Sequence, residues 1–198
     1  MDNNGTEAGD SPLIRPLRWP QDSSPLARLD TSYVTDHILR VDISGDIITL
    51  TAEAVTPPLL KRLPLDLARD ELDPEQGLAL VAEHEGELVA YAAARFVAWN
   101  CRAELRHLYV TPALRRAGLG ARLLAEAVAW ARAQQARGLW LETQNINPAA
   151  VRFYSRHGFR LCGLDASLYD PAGPAGGEIA LFHFLPMDTS PATPGMAT

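Results

Sequence analysis

Apolar and polar positions alternate weakly in the first half of the chain and strongly in the second. Residues 13–17 predict a short strand, and residues 25–33 a modest helix with Ser23 or Ser24 as its cap. The β-branched runs 36–41 and 47–55 meet at Ser44-Gly45-Asp46, which has the composition of a hairpin turn, and Pro57-Pro58 is expected to end the second run. A second hairpin is expected where runs 78–83 and 87–99 flank Glu85-Gly86, the latter run being long and apolar enough for a central strand.

From residue 103 onward the pattern sharpens. Residues 103–110 predict a strand and residues 111–117 a polar, Arg-rich loop. Between Gly118 and about Ala136, the residues Leu119, Leu123, Leu124, Ala127, Val128 and Ala131 recur at three- and four-residue spacing, one face of a helix. Gly138 is expected to stop that helix. A strand over 139–143 follows, then a helix over 148–156 capped by Asn147 with Pro148 in its first turn, and a strand over 159–164. The Gly/Pro-rich loop 170–177 precedes a last strand over 178–185. This order, β-α-β-α-β after two hairpins, predicts an α/β (α+β mixed) fold with a mixed or antiparallel sheet and helices against it.

Composition bounds the setting. The chain has 198 residues, 47% hydrophobic and 21% charged, so one globular domain with a substantial core is expected, spanning 13–186 between flexible tails 1–12 and 187–198. The formal charge of −6 disfavours nucleic acid and anionic membranes as partners and suits a cationic small molecule. The N-terminal segment lacks a signal-peptide pattern, and no apolar run is long enough to span a membrane, so a cytoplasmic location is expected. Cys101 and Cys162 do not form a disulfide framework. None of the five histidines falls in a metal-binding pattern, and no metal is expected.

The most informative motif is Arg115-Arg116-Ala117-Gly118-Leu119-Gly120, where a strand delivers a glycine-bearing loop to a helix start. Unsatisfied amides, the helix dipole and two arginines make such a site receptive to pyrophosphate. No Gly-Lys-Ser/Thr follows, which excludes a P-loop. A dinucleotide fingerprint remains as the runner-up, with Glu142 at the expected distance, but Leu123 occupies its third glycine position and the loop is long.

Arg115-x-x-Gly118-x-Gly120 after Leu108-Tyr109-Val110, then Asn147 and Ala150-x-x-Phe153-Tyr154-x-x-x-Gly158-Phe159, resembles the GNAT superfamily of acetyltransferases over roughly residues 79–185. The resemblance implies a central mixed, mostly antiparallel sheet and acetyl-CoA as co-substrate. By it, Leu108, Tyr109, Val110, Arg115, Arg116, Ala117, Gly118, Leu119, Gly120, Ala121 and Asn147 would hold the cofactor, and Tyr154 would protonate the departing thiolate. More narrowly, Leu29-Asp30, Thr35-Asp36, Thr56-Pro57-Pro58-Leu59, Trp99-Asn100, the run from Leu139 to Asn145, Cys162-Gly163-Leu164-Asp165 and Leu168-Tyr169-Asp170 resemble streptothricin (nourseothricin) acetyltransferases. That implies transfer to an amine on the β-lysine arm of a streptothricin. Where those enzymes carry acids on the strand before the loop, this chain has Arg106, His107 and Tyr109.

The chemistry needs a base, because an alkyl ammonium with a pKa near 10.4 must lose a proton before attacking a thioester. Glu104, fourteen residues before Gly118, is the first candidate because its position resembles that of the catalytic glutamate of histone-type GNAT enzymes, and His107 is the alternative. Strict alternation places Glu104 with Arg106 on one face and His107 with Tyr109 on the other, unless a bulge intervenes. Tyr33, Asp36, Trp99, Asp165 and Tyr169 are the candidate contacts to a cationic acceptor. The leading expectation is direct acetyl transfer to a primary amine of a small cationic substrate, with a homodimer left open. The alternatives are a protein or peptide N-acetyltransferase and a CoA-binding sensor without catalysis.

Overall fold

The computed structural model describes residues 11–63, 65 and 77–187. Most of both expected tails, residues 1–10 and 188–198, lies outside that range, whereas Met187 is buried against the core.

Strand β1 (Leu13–Pro16) leads to a short helix α1 (Ser23–Ala27). The helix is shorter than residues 25–33 predict and neither Ser23 nor Ser24 caps it; Asp22 holds the N-cap position. The buried Asp22 side chain turns back instead, accepting from both Arg15 Nη atoms at 2.7 and 3.0 Å and from the Arg18 N–H at 2.7 Å. Those bonds, that to Arg15 first, hold its carboxyl below the usual range.

Tyr33, expected at the helix end, opens strand β2 (Tyr33–Ser44), which pairs with β3 (Ile47–Lys61) as a separate two-stranded ribbon. Here β3 runs past Pro57-Pro58. Thr35 pairs with Leu59 and His37 with Ala54, so the four residues 55–58 lie opposite Asp36 alone. Prolines lack an N–H, and this bulge is where the ladder asks for none.

The main sheet has seven strands in the order β1-β4-β5-β6-β7-β9-β8, with β4 (Gly77–His84), β5 (Glu87–Val97), β6 (Arg102–Val110), β7 (Gly138–Gln144), β8 (Arg160–Asp165) and β9 (Ala180–Pro186). Among the described residues, β6 and β7 are the only parallel neighbours in this sheet. Helices α2 (Leu119–Ala133) and α3 (Pro148–Arg156) cover one face, where Leu124, Ala127, Ala131, Leu139, Leu141, Tyr154 and Phe159 form the largest core cluster. On the other face α1 packs Leu26 against Val81 and Tyr91. The continuous burial of Val89–Ala94 follows from β5 being covered on both sides. Among the described residues no helix is long and apolar enough to cross a membrane.

Two details differ from expectation and shape the site. Gly138 does not stop α2; Gln134 caps it and Gln135 takes the left-handed conformation, φ 56°. Gly138 instead opens β7, where a Cβ would sit 2.2 Å from the Phe184 ring and 2.7 Å from the Leu185 carbonyl oxygen. Strand β6 carries a bulge: Ala94 pairs with Leu105 and Ala93 with His107, leaving Arg106 as the extra residue. Because Tyr91, Ala93 and Arg95 share a face, their partners Tyr109, His107 and Glu104 share it too, which overturns the strict alternation.

Gly138→Ala is expected to destabilise the fold by about 3 kcal/mol or more, since backbone and ring must both shift to admit the methyl group. Urea unfolding would measure it, and an unchanged midpoint would show that the contact is not tight.

Candidate active site

The site begins where β6 and β7 part. They pair only over Ala103–Leu105 and Leu139–Leu141, although β6 continues to Val110 and β7 to Gln144. Beyond that point the strands diverge and a cleft of about 800 Å³ opens, lined from β6 by Leu105, Arg106, Leu108, Tyr109 and Val110 and from β7 by Glu142, Thr143 and Gln144. Diverging strands leave main-chain groups without ladder partners across the gap, available to a polar ligand of extended shape.

At one end of the cleft stands the N-terminus of α2. Its N-cap, Gly118, has φ 84° and no side chain, so the first-turn amides receive no side-chain cap. Arg116 also takes a positive φ, 67°, which turns the loop sharply into the helix. Gly120 faces the cleft, where a Cβ would meet only Phe153 and Val110, at ordinary 3.7 Å contacts. The glycines thus keep open space for a ligand rather than relieve a clash within the protein. Of the two arginines only Arg116 is exposed. Arg115 is a structural tie, its Nε donating to the Val110 carbonyl at 2.8 Å and its Nη2 to the Ser32 carbonyl at 2.6 Å. Leu119 points into the core and Ala117 is exposed, so each has its backbone N–H to offer, while Ala121 lines the cleft. Asn147 lines it as well, with Oδ1 accepting from the Ala150 N–H at 3.1 Å to cap α3.

Deeper in the cleft lies Tyr154, buried among Phe153, Phe159 and His183. Burial, its largest influence, pushes the phenol well above its ordinary pKa and keeps it a proton donor. Glu142 faces the cleft from β7, accepts a hydrogen bond from the Tyr169 hydroxyl, and is raised above the usual carboxylate range chiefly by burial. The Tyr169 bond opposes that rise because it favours the ionised form.

The remaining expected positions separate. Tyr33 lines the cleft and Tyr169 reaches its edge through Glu142. Glu104 is not among the lining residues; it forms an ion pair with Arg95. His107 is stacked against Tyr91, with centroids 5.6 Å apart, and lies as far from the Tyr109 ring. Asp36 is exposed beside His37, and Asp165 accepts from Ser167 at the end of β8. Trp99, 84% exposed, sits in the 3-10 turn before β6, at the opposite end of that strand from the cleft. Among the described residues, no group of three or more His, Cys, Asp or Glu side chains could hold a metal ion.

This arrangement can be set beside known proteins. The acetyltransferase (GNAT) family pattern matches residues 46–159. The chain belongs to the GNAT acetyltransferase family. A streptothricin acetyltransferase from Streptomyces lavendulae is 35% identical to this acetyltransferase over 173 residues, which is 84% of this chain and 91% of that protein. The crystal structure of nourseothricin acetyltransferase matches with a TM-score of 0.80 at 35% identity, covering 89% of this chain and 99% of the other. A Bacillus anthracis str. Ames protein assigned as a streptothricin acetyltransferase, crystallised with acetyl coenzyme A, matches at 0.75 and 28% identity over 91% of this chain and 99% of the other. The enzyme is an acetyl-CoA-dependent N-acetyltransferase that carries the acetyl group to an amine.

The cleft carboxylate that sequence reasoning did not name as a site residue is Glu142. Its signal was present: in Leu139-Trp140-Leu141-Glu142-Thr143, a carboxylate interrupts an apolar strand that both neighbours cover. Tyr169→Phe removes the bond that favours the Glu142 carboxylate, so its pKa is expected to rise further. Carboxyl titration by carbon NMR would read the shift; a move to lower pH would contradict the geometry.

Proposed function

We propose that this acetyltransferase moves the acetyl group directly onto a primary amine of a small cationic acceptor, of which streptothricin is the leading example. The observation that carries the reading is that one cleft holds a half-buried carboxylate, Glu142, a buried phenol, Tyr154, and residues of an uncapped helix terminus. The fit to acetyl-CoA rests on that terminus and on the gap between β6 and β7. Arg116 and the amides from Ala117 to Ala121 would take the pyrophosphate, and the edge Leu108–Val110 would take the pantetheine amides. Asn147, whose Oδ1 is engaged in capping, keeps its Nδ2 donor for the same arm.

Acetyl-CoA supplies an activated acetyl thioester, and its sulfur leaves as a thiolate. Glu142 accepts the proton that the acceptor ammonium must lose, a task helped by a raised carboxyl pKa. Tyr154 Oη gives a proton to the sulfur and is restored by the second proton that the nitrogen sheds as the amide forms. Glu104 is set aside as base because its carboxylate is committed to Arg95 outside the cleft lining. The reaction is placed in the cytoplasm, where acetyl-CoA is available, and needs no acyl-enzyme.

An acetyl-CoA-dependent thiol-release assay across streptothricin, aminoglycosides, polyamines and peptides tests the reading. Turnover of streptothricin is expected; turnover of peptides alone would replace it. Tyr154→Phe and Glu142→Gln should each lower kcat by about 10² to 10⁴-fold, the usual weight of a general acid or base, with the acetyl-CoA KM little changed. A stable acetyl-Cys101 or acetyl-Cys162 seen by mass spectrometry would refute direct transfer.

A further inference from the structure

Two arginines that line the cleft have no part in the chemistry above. On α3, Ala149, Arg152, Phe153 and Arg156 all line it, at the spacing of one stripe along a helix. Phe153 anchors that stripe to the start of α2, since its ring lies 3.7 Å from where a Cβ of Gly120 would stand. Arg152 and Arg156 flank Phe153 on the stripe, so both belong to the phosphate end of the cleft.

Their charge is unmatched. The two lie four residues apart, a separation at which like charges on a helix repel. Both are exposed, and neither forms a hydrogen bond or an ion pair among the described residues. Asp36, a carboxylate that senses Arg152, is exposed and already bonded to its neighbour His37 at 2.9 Å. Other basic groups around the cleft are committed. Arg115 donates to two carbonyls, and Arg106 is engaged within the protein. Lys61, across the ribbon from Tyr33, is ion-paired with Glu178 and donates to the Pro174 carbonyl at 3.1 Å.

Coenzyme A carries a second anionic group besides its pyrophosphate. The 3′-phosphate on its ribose is a monoester, with a charge of about −1.5 to −2 at pH 7. Arg116 and the α2 amides suit the pyrophosphate, and the glycine loop has no further free cation for the monoester. We propose that Arg152 and Arg156 form the subsite for the 3′-phosphate, so that the enzyme distinguishes CoA from its 3′-dephospho form. This rests on the reading that the α2 terminus takes the pyrophosphate, and extends it to the other end of the nucleotide. Guanidinium forks match phosphate oxygens in pairs, and a dianion between the two arginines would turn their mutual repulsion into attraction to a shared ligand. The pair acts on cofactor affinity and stands apart from the transfer step at Glu142 and Tyr154.

Isothermal titration of the full chain with CoA and with 3′-dephospho-CoA tests this without relying on turnover. Wild type should bind CoA at least tenfold more tightly. The double variant Arg152→Gln with Arg156→Gln should cut that ratio at least fivefold by weakening CoA alone, and Tm should hold because both side chains are exposed. Arg116→Gln is the comparison: it should weaken both ligands by a similar factor and keep the wild-type ratio. Equal affinities in wild type, or an unchanged ratio in the double variant, overturn the subsite. The pyrophosphate reading fails separately. If Arg116→Gln binds both ligands as wild type does, the pyrophosphate is not at Arg116, while the ratio in the double variant still decides the fate of the arginine pair.

Discussion

Neighbouring strands in the middle of a sheet normally pair along their length, because each buried main-chain N–H or C=O without a partner is costly. β6 and β7 pair over only three residues each, Ala103–Leu105 with Leu139–Leu141, and then separate. The candidate site depends on that separation. It makes a gap of strand edges wide enough for an extended ligand, it lets Glu142 reach the gap from one strand, and it lets Tyr154 reach it from the helix that follows. The bulge at Arg106 occurs at the point of departure and resets which side chains of β6 face the hairpin layer. The fold tolerates the lost pairing because the sheet is anchored on both sides: β5 pairs with β6 throughout, and β9 pairs with β7 throughout.

Electrostatics divides the cleft. At the α2 terminus the amides and Arg116 favour an anion. At the β7 side the Glu142 carboxylate favours a cation. A doubly polarised channel of this kind orders its two substrates by charge before any shape complementarity is considered. The chain's overall charge of −6 is therefore a poor guide to the site, since the phosphate end is locally positive.

The second half of the fold was legible because helical spacing, the Asn147 cap and the glycine loop are local signals that point to one answer. The first half was not. Residues 28–33 are removed from the expected helix by pairing of Tyr33 with Lys61, a contact 28 positions away that no local propensity records. Pro57-Pro58 reads as a strand end unless one knows that a bulge holds both prolines off the ladder. In the site, motif spacing pointed to the loop glycines, Asn147 and Tyr154, which line one cleft, whereas on the acidic side it pointed to Glu104, which does not line it. Glu104 was chosen by spacing, but the Arg106 bulge and the Arg95 ion pair direct it elsewhere. Nor could the sequence separate the two arginines of the loop, since what distinguishes Arg115 is its bond to Ser32, far away in the chain.

The clasp between Lys61 and Glu178 has one more consequence. Lys61 is the sole lysine of the chain, in an enzyme whose chemistry consumes amines. Its nitrogen is turned to a carboxylate and a carbonyl, and it could present a lone pair to a thioester only by breaking both contacts. An acetyltransferase arranged in this way offers its own cofactor no lysine to modify, and is thereby shielded from self-acetylation at the one side chain where it would otherwise be exposed to it.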